Sequence, residues 1–424
     1  MKLNRRRVLM TTAAGALVGA ASRAFSQPAA PIRLTVQYAW PKSYDSVMQN
    51  IAAQFAAVRP DVHVEFMAPA TDYVDLLQRI LRAAITGGMP DVAIHGMNNV
   101  DRLAERKLIT PLRPLIATEK NWSEMGYSPS ILSMGDVCGD PFCMPFTIAI
   151  KSIYYNLDLV KRAGGDPDKL PNTWGEIIEL QRKIQGLGGG VLGLYADYYF
   201  DDNFTFQSLI QTQGGTIATP DGRVAFGGKE GLQALQWLQG FGQAGMIDMT
   251  VNQAYASFTS GMLGILVASS SRITQLTKDS GGLFPMKVVA FPRSINGTVP
   301  GGGGGVMIHA KTGEKLQAAW DFAKFATGPV GSTEVVEKSG YIPGNSVAIN
   351  DPRYLKSFYD RHPPQRAMVD QMPFLTKWYN WPGDHSLKIL TVTRDYIQQV
   401  ATLKQTPEAV LPKMVSDLEA LLKA

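Results

Sequence analysis

Aromatic residues beside predicted turns are the side chains of this sequence best suited to bind a ligand. Trp40 and Tyr44 follow the first predicted strand, Tyr73 opens a predicted helix, and residues 378–384 (WYNWPGD) place three aromatic rings in one loop. Flat aromatic faces stack on the apolar C–H faces of sugars, while nearby Asp, Asn and Ser side chains bind the hydroxyls. Any one of these rings could instead pack in a core, but three in one loop favour a binding site.

The sequence carries no local signature of catalysis. It has no His-Glu-x-x-His helix, no Gly-x-Ser-x-Gly elbow and no phosphate-loop Gly-x-x-x-x-Gly-Lys. Gly188, Gly190 and Gly193 fit Gly-x-Gly-x-x-Gly, but they precede a predicted strand, the reverse of the dinucleotide-binding order, and we interpret them as a turn. The sequence therefore predicts a binding protein rather than an enzyme, with no cofactor and no metal site. A pair of glycosidase carboxylates stays open as an alternative, because the sequence does not show how far apart the carboxylates lie.

Residues 301–305 are five consecutive glycines. No lysine and no predicted helix follow them to hold a phosphate. Two interpretations remain open: a flexible loop, or backbone that must come close to a ligand or to another lobe of the molecule, an approach that glycine permits.

The first 26 residues predict export. Residues 4–10 (NRRRVLM) put paired arginines ahead of a weakly hydrophobic stretch of small residues, and residues 24–26 (AFS) have the character of a cleavage site. This pattern predicts a twin-arginine signal peptide over residues 1–26 that is cleaved near Ser26; an ordinary secretory signal is the alternative. The apolar stretch is shorter than the ~20 residues that span a bilayer. We therefore expect a protein of the periplasm.

The charge balance depends on this leader. The full chain has 41 basic and 36 acidic residues, but five of the basic residues and none of the acidic ones lie in residues 1–26. The remaining chain is formally neutral, so it does not predict a nucleic-acid or anionic-membrane partner, which would need a basic patch. No later segment is apolar over a membrane-spanning length, and we expect a soluble protein of two domains.

Cys138 and Cys143 are the two cysteines of the chain. The Gly, Asp and Pro residues between them are typical of a hairpin turn, which a disulfide could close in an oxidising compartment. Free thiols are the alternative. A structural zinc site needs four ligands, and no companion histidines are near, so a metal site is not predicted.

Strands and helices alternate at the start of the predicted mature chain. Apolar periodicity predicts them in turn over residues 32–38, 45–58, 62–66, 72–86 and 91–94. Because strands and helices follow one another so closely, the strands must pair in parallel, with helices on both faces of a sheet. The same alternation resumes after residue 152, where Thr173 and Glu176 have the spacing of a capping box. The sequence thus predicts the α/β class.

Residues 145–156 (PFTIAIKSIYYN), followed by residues 171–176 (PNTWGE), resemble the signature of the family 1 extracellular solute-binding proteins of ABC transporters. Residues 87–92, 258–264 and 339–344 also resemble motifs of that family, in the same order along the chain. The resemblance covers essentially the whole chain after the leader. It implies the substrate-binding component of an ABC importer, a monomer that works with permease subunits in the inner membrane.

The fold implied by this resemblance is the two-lobed, type II-like periplasmic binding protein fold, with a ligand cleft between two α/β lobes joined by a hinge. We place lobe one at residues 31–147 plus 269–311, and lobe two at residues 148–268 plus 312–424. A ligand contacts both lobes only when the cleft is closed, so its binding energy shifts the hinge towards closure. Closed and open lobes then dock differently on the permease.

The resemblance also implies a set of ligand-binding residues, carried over by position. The rings would supply stacking faces, the serines hydroxyls or amides at the hinge, and the glycines backbone N–H groups. The set consists of Trp40, Tyr44 and Tyr73 in lobe one, Ser269, Ser270 and Ser271 at the hinge, Gly303, Gly304 and Tyr341 along the cleft, and Trp381 and Asp384 in a late loop of lobe two.

Within the family, residues 302–308 and 339–343 are similar to the glycerol-3-phosphate-binding branch, with two departures. That branch has a Ser-Ser pair where this chain has Ile148 and Ala149, and an arginine where this chain has Trp381. Losing a cation that pairs with phosphate, and gaining an indole face, argues against a phosphorylated ligand. We therefore expect a neutral sugar, sugar alcohol or oligosaccharide. Glycerol-3-phosphate or its diesters, a secreted carbohydrate-active enzyme, and a receptor that feeds chemotaxis or a sensor kinase are the alternatives.

Overall fold

The computed structural model describes residues 31–198, 203–383 and 385–423, so the predicted signal peptide and the predicted ligand residue Asp384 lie outside the described residues. The strands are β1 Ile32–Tyr38, β2 Val62–Phe66, β3 Val92–Gly96, β4 Asp136–Val137, β5 Asp140–Pro141, β6 Met144–Ala149, β7 Lys151–Asn156, β8 Leu192–Ala196, β9 Leu263–Ser269, β10 Met286–Ala290, β11 Val299–Ile308 and β12 Leu375–Lys377.

Apolar periodicity predicted the helices over residues 45–58 and 72–86, which the structure confirms as α1 and α2. None of these helices is both long and apolar enough to cross a membrane within the described ranges. The helices are α1 Pro41–Val58, α2 Tyr73–Thr86, α3 Val100–Glu105, α4 Arg113–Ile116, α5 Pro129–Leu132, α6 Leu157–Arg162, α7 Trp174–Gln185, α8 Phe204–Gln211, α9 Lys229–Gln243, α10 Val251–Thr259, α11 Ile273–Ser280, α12 Gly313–Thr327, α13 Pro329–Ser339, α14 Ser346–Asn350, α15 Lys356–Arg361, α16 Pro363–Val369, α17 Ser386–Ala401 and α18 Pro407–Lys423.

The first sheet is built around β1. β2, β1 and β3 lie side by side and parallel, which confirms the parallel pairing predicted from the sequence. β11 runs antiparallel to β3 and to β6, and β12 pairs in parallel with the start of β11. α1, α12 and α13 pack against this sheet, where Phe55, Trp320 and Phe322 are buried in one core.

The second sheet has the order β10-β7-β9-β8. β8 and β9 are parallel, whereas β7 runs antiparallel to both β9 and β10. α7, α9, α17 and α18 share a core with this sheet, which includes Trp174 and Phe241. β7 follows β6 after the single residue Ile150, so the chain passes from the first sheet to the second at that point.

Local sequence signals set several helix ends. The capping box predicted at α7 is confirmed: Glu176 N–H donates to Thr173 Oγ1 at 3.3 Å, and Thr173 N–H donates to Glu176 Oε2 at 3.2 Å. Asp72 caps α2 by accepting a hydrogen bond from the Asp75 N–H at 2.8 Å. Gly87, with φ of 86°, follows the end of that helix in a conformation that other residues rarely adopt. These bonds join near neighbours, which is why the sequence could predict the helix ends.

Three segments lie in a different lobe from the one predicted. β10, predicted in lobe one, pairs with β7 in the second sheet. α12 and α13, predicted in lobe two, pack on the first sheet, where Trp320 and Val335 are fully buried. β12, also predicted in lobe two, pairs with β11 in the first sheet. These errors have one cause: the chain returns to the first sheet only at β11, and α12, α13 and β12 pack with that sheet.

Cys138 and Cys143 are both free thiols, which contradicts a disulfide and agrees with the alternative interpretation. The predicted hairpin is present as β4 and β5, and Cys138 lies in its tight turn with φ of 52°. Cys143 lies beyond the paired strands: Phe142 N–H donates to the carbonyl of Gly135, the residue before β4, and Cys143 follows Phe142. At ~3.3 Å per residue, the two cysteines are on the order of 10 Å apart along the hairpin, whereas a disulfide needs Cα atoms within ~7 Å.

Candidate functional site

The carboxyl ends of the parallel strands mark the candidate site. In open α/β sheets, ligands bind in the crevice outside these ends. β1 leads to Trp40 and β3 to Asn98, whereas β8 and β9 of the second sheet lead to Asp197 and Ser269. The two lobes meet where the side-chain amide of Asn380, on the segment between β12 and α17, donates to Asn98 O at 2.7 Å. The site therefore lies at the junction of the two sheets.

The first lobe brings four of the predicted aromatic residues together. Trp40 is 43% exposed, and its ring lies edge-on to that of Tyr73 with 6.1 Å between centroids. Tyr44 is buried, with its ring 6.3 Å from the half-buried ring of Tyr341. Tyr73 in turn stacks on His95 with 5.9 Å between centroids and 17° between the planes. Residues from α1, α2 and the turn after α13 thus form one aromatic surface.

Thr147 links this aromatic surface to β11, and sequence reasoning missed it. Its hydroxyl lies 3.1 Å from the Tyr44 hydroxyl and accepts a hydrogen bond from the Gly304 N–H at 2.8 Å. The Tyr73 hydroxyl is buried close by and interacts with the side chains of Tyr44 and Thr147. The sequence signal for Thr147 is that it carries the only hydroxyl in the buried, otherwise apolar strand β6.

The glycines at residues 301–305 lie in β11, so the flexible-loop interpretation is wrong. A Cβ at Gly302 would lie 2.9 Å from Cε3 of Trp378, and a Cβ at Gly304 would lie 2.5 Å from the Tyr73 hydroxyl oxygen. At Gly303, which has φ of 119°, a Cβ would lie 2.0 Å from the carbonyl oxygen of Thr147. Close approach is confirmed, and the partners are the chain's own residues. The Gly304 N–H, predicted to bind ligand, is already bonded to Thr147.

Trp381 is not a wall of the site, contrary to the prediction. It is 3% exposed in the core of the second lobe, where its ring lies edge-on to that of Tyr379 with 5.0 Å between centroids. Trp378, from the same loop, is half-buried, lies against Gly302 and stacks on Phe204 with 4.5 Å between centroids. The loop composition could not show which tryptophan faces the glycine strand, because the pairing of β12 with β11 decides this.

Ser269, Ser270 and Ser271 lie at the carboxyl end of β9, where their hydroxyls are already engaged. Ser270 is buried, and its hydroxyl accepts a hydrogen bond from the Ile150 N–H at 3.1 Å. The hydroxyls of Ser269 and Ser271 lie 2.9 Å from each other. Ser270 therefore ties the crossing between β6 and β7 to the end of β9, and this contact is structural.

The tyrosine and histidine side chains of this aromatic surface are uncharged. Burial raises the pKa of the Tyr44 and Tyr73 phenols, which keeps them protonated. Burial also lowers the pKa of His95 to about 3, so its imidazole is neutral at physiological pH. On the second lobe, the charge of Lys151 is paired with Asp197 at 3.2 Å. The arrangement therefore offers stacking faces and hydroxyls rather than a net charge.

Residues 38–332 match the family model described as bacterial extracellular solute-binding protein, and the chain belongs to that family. The sn-glycerol-3-phosphate-binding periplasmic protein UgpB of Yersinia enterocolitica is 26% identical over 301 residues, which cover 67% of each chain. UgpB of Salmonella typhimurium is 22% identical over 402 residues, or 89% of each chain. The family match confirms a solute-binding protein rather than an enzyme.

Solved structures of similar fold agree with the predicted two-lobed architecture. The cyclic alpha-maltosyl-1,6-maltose binding protein from Arthrobacter globiformis has a TM-score of 0.80 at 21% identity, covering 93% of this chain and 99% of its own. UgpB from Mycobacterium tuberculosis, solved with glycerophosphocholine, has a TM-score of 0.78 at 20% identity, covering 93% and 98%. The sugar-binding protein MalE from Xanthomonas citri has a TM-score of 0.79 at 17% identity, covering 92% and 97%. The fold is therefore that of a periplasmic binding protein with two lobes.

Proposed function

We propose that this member of the bacterial extracellular solute-binding protein family binds a neutral sugar or polyol at the junction of its two lobes and delivers it to the permease of an ABC importer. The observation that carries the proposal is the group of uncharged rings of Trp40, Tyr73, Tyr341 and Trp378, which pack with the buried Tyr44, with Phe204 and with one another. Exposed indole and phenol faces stack on sugar rings.

Binding at this junction gives a mechanism for signalling occupancy to the permease. Tyr73 and Trp40 belong to the first lobe, whereas Trp378 is held by Phe204 of the second lobe. A ligand that contacts both groups binds the closed arrangement better than the open one and shifts the population towards it. The crossing at Ile150, which Ser270 holds by a hydrogen bond, is one of the backbone segments that must change when the lobes move apart.

Comparisons with known proteins support more than one ligand class. The Arthrobacter globiformis and Xanthomonas citri proteins are sugar-binding by name, which favours the main proposal. The relatives named for sn-glycerol-3-phosphate, and the complex with glycerophosphocholine, favour a second candidate, a glycerophospho compound. Burial of Trp381 removes one of the two reasons for rejecting a phosphorylated ligand, since this indole does not face the site. The missing arginine remains the other reason.

The place of action belongs to the same proposal. Family members are extracellular proteins by description, and the arginine pair before a short apolar stretch supports export by the twin-arginine route, with cleavage near Ser26. The exported protein would act in the periplasm as a monomer. A role in chemotaxis or in sensor-kinase signalling would use the same site, and loss of uptake on deletion of the gene distinguishes transport from sensing.

A thermal-shift screen of residues 27–424 tests the ligand class. Neutral sugars and polyols are compared with glycerol-3-phosphate and glycerophosphocholine, each at about 100 times its Kd, where a ligand stabilises the fold by about 2.7 kcal/mol. A raised Tm with sugars or polyols supports the proposal. A raised Tm with the glycerophospho compounds alone supports the second candidate and refutes the neutral-ligand proposal. Silence across both sets refutes both ligand classes.

A pair of tryptophan variants tests the location of the site. Trp378→Ala should weaken binding of the screened ligand by about 10-fold, the equivalent of one aromatic contact. The control is Trp237→Ala on α9, which removes a half-buried indole that packs against Trp174 of α7. This control should lower Tm but leave Kd unchanged. Equal Kd values in both variants would place the ligand elsewhere.

A further inference from the structure

A fully buried ion pair adjoins the aromatic part of the site. The Lys151 ammonium lies 3.2 Å from Asp197 Oδ2, and both side chains are 0% exposed. Lys151 begins β7, directly after the crossing at Ile150, and Asp197 follows the carboxyl end of β8. The backbone carbonyl of Asp197 also accepts a hydrogen bond from the Thr205 hydroxyl in the first turn of α8. The pair therefore lies between the hinge crossing and the helix that carries Phe204.

The ammonium of this pair lies beside a stack of two aromatic rings. Lys151 Nζ lies 5.3 Å from the centroid of the Phe204 ring, within the range of a cation–π contact. The second ring of this stack is the Trp378 indole, which lies 4.5 Å from the Phe204 ring between centroids and also lies against Gly302. Gln207, one turn further along α8, exchanges two hydrogen bonds with the backbone of Tyr379. The helix thus holds the loop while the Phe204 ring sets the position of the indole.

Stability alone gives no reason for a charged pair at this place. Taking two charges out of water costs about as much free energy as their attraction returns, and apolar residues of the same volume are often at least as stabilising. A charge over a ring has a direction, however, because the attraction is greatest over the ring face. The ion pair can therefore fix the orientation of Phe204 in a way that an apolar side chain of the same size cannot.

We infer that Lys151 is a positioning residue for ligand binding: its ammonium, held by Asp197, orients the Phe204 ring and, through that ring, the Trp378 indole that stacks on the ligand. The inference rests on the proposed function for the nature of the ligand. The orientation of Trp378 does not depend on which ligand binds, so it can be measured separately.

The test uses the mature protein with Lys151→Met and with the charge-balanced double substitution Lys151→Met and Asp197→Asn. The double variant removes both charges of this pair, so it should recover most of the Tm that the single variant loses. If Lys151 positions the indole, the double variant still has a raised rate of acrylamide quenching of Trp378 fluorescence. This contribution is isolated by subtracting the emission of Trp378→Phe in each background. Kd for maltose, measured by calorimetry, should rise by about 10-fold. Lys161→Met, at an exposed position on α6, is the control and should change neither quantity.

Quenching of Trp378 equal to that of the wild type in the folded double variant would overturn the inference, whatever the ligand. If the double variant does not fold, Phe204→Leu decides the matter, because it removes the ring and keeps the ion pair. That variant should show the raised quenching by itself, and unchanged quenching would overturn the inference. If maltose and the other screened compounds fail to bind the wild type, the proposed function fails, while the quenching result still supports or overturns the positioning role.

Discussion

Gly302→Ala tests whether the glycine strand exists to receive the indole of Trp378. The added Cβ would lie 2.9 Å from Cε3 and 3.2 Å from Cζ3 of that indole. Favourable carbon–carbon contacts need ~3.5–4.0 Å, so the ring would have to retreat by about 0.6–1 Å. Phe204 stacks on the same indole with 4.5 Å between ring centroids, so the indole has no room to move away. Overpacking of this kind costs about 1–3 kcal/mol.

The expected result is a lower Tm, measured by differential scanning calorimetry. At about 2 °C per kcal/mol for a chain of this size, Tm should fall by about 2–6 °C. Gly175→Ala on α7 is the matched control, since nothing lies within 4 Å of its added Cβ. This control should keep or slightly raise Tm, because alanine favours a helix. Gly302 itself has no positive φ, so the loss must come from the ring contact.

A double-mutant cycle decides between contact and backbone strain. In a Trp378→Ala background the ring is gone, and the further change Gly302→Ala should cost nothing. An equal loss of Tm in both backgrounds would refute the reasoning, because the cost would then not arise from the indole. A Tm for Gly302→Ala that matches the Gly175→Ala control would refute it as well.

Three further outcomes follow from the described contacts. Thr147→Val should cost about 1–3 kcal/mol in denaturant unfolding, because the buried Gly304 N–H loses its acceptor; a loss below 0.5 kcal/mol would contradict that role. The pKa values of His95 and His309 are lowered by burial to about 3 and about 4, below the ~6.5 of an unfolded chain. Because the unfolded state therefore binds more protons, the free energy of unfolding should fall as pH drops below ~6.5, by up to ~1.4 kcal/mol per pH unit for each histidine. Urea titrations across that pH range measure this dependence, and His95→Phe should make it less steep. A thiol reagent should modify Cys138 alone in the native protein and Cys143 only after unfolding; a result of no reactive thiol would restore the disulfide.

Much of the fold was predictable because the relevant patterns are local. The strand and helix order from β1 to β3 follows from apolar periodicity, and the Thr173–Glu176 capping box places the start of α7 within three residues of chain. Strand pairing in parallel followed from the alternation of elements. The lobe membership of α12 and α13 was not predictable in this way, since it depends on packing against β1 and β11 across long stretches of sequence.

The candidate site was predicted in its aromatic character but only partly in its members. Trp40, Tyr44, Tyr73 and Tyr341 lie close together in the first lobe, and their role in binding stays a prediction. Trp378 was passed over for Trp381 because both rings lie in the same loop and composition treats them alike.

The sequence by itself determined the secondary structure, the family, and the supply of rings and hydroxyls, because each of these depends on residues close together in the chain. Only the tertiary structure decided which of them share a site. The Gly304–Thr147 hydrogen bond, the Trp378 ring against Gly302 and the Lys151–Asp197 pair all join residues that are far apart in sequence. Their partners are selected by strand register and by the absence of a Cβ at a particular glycine, and these become defined only when the two sheets have formed.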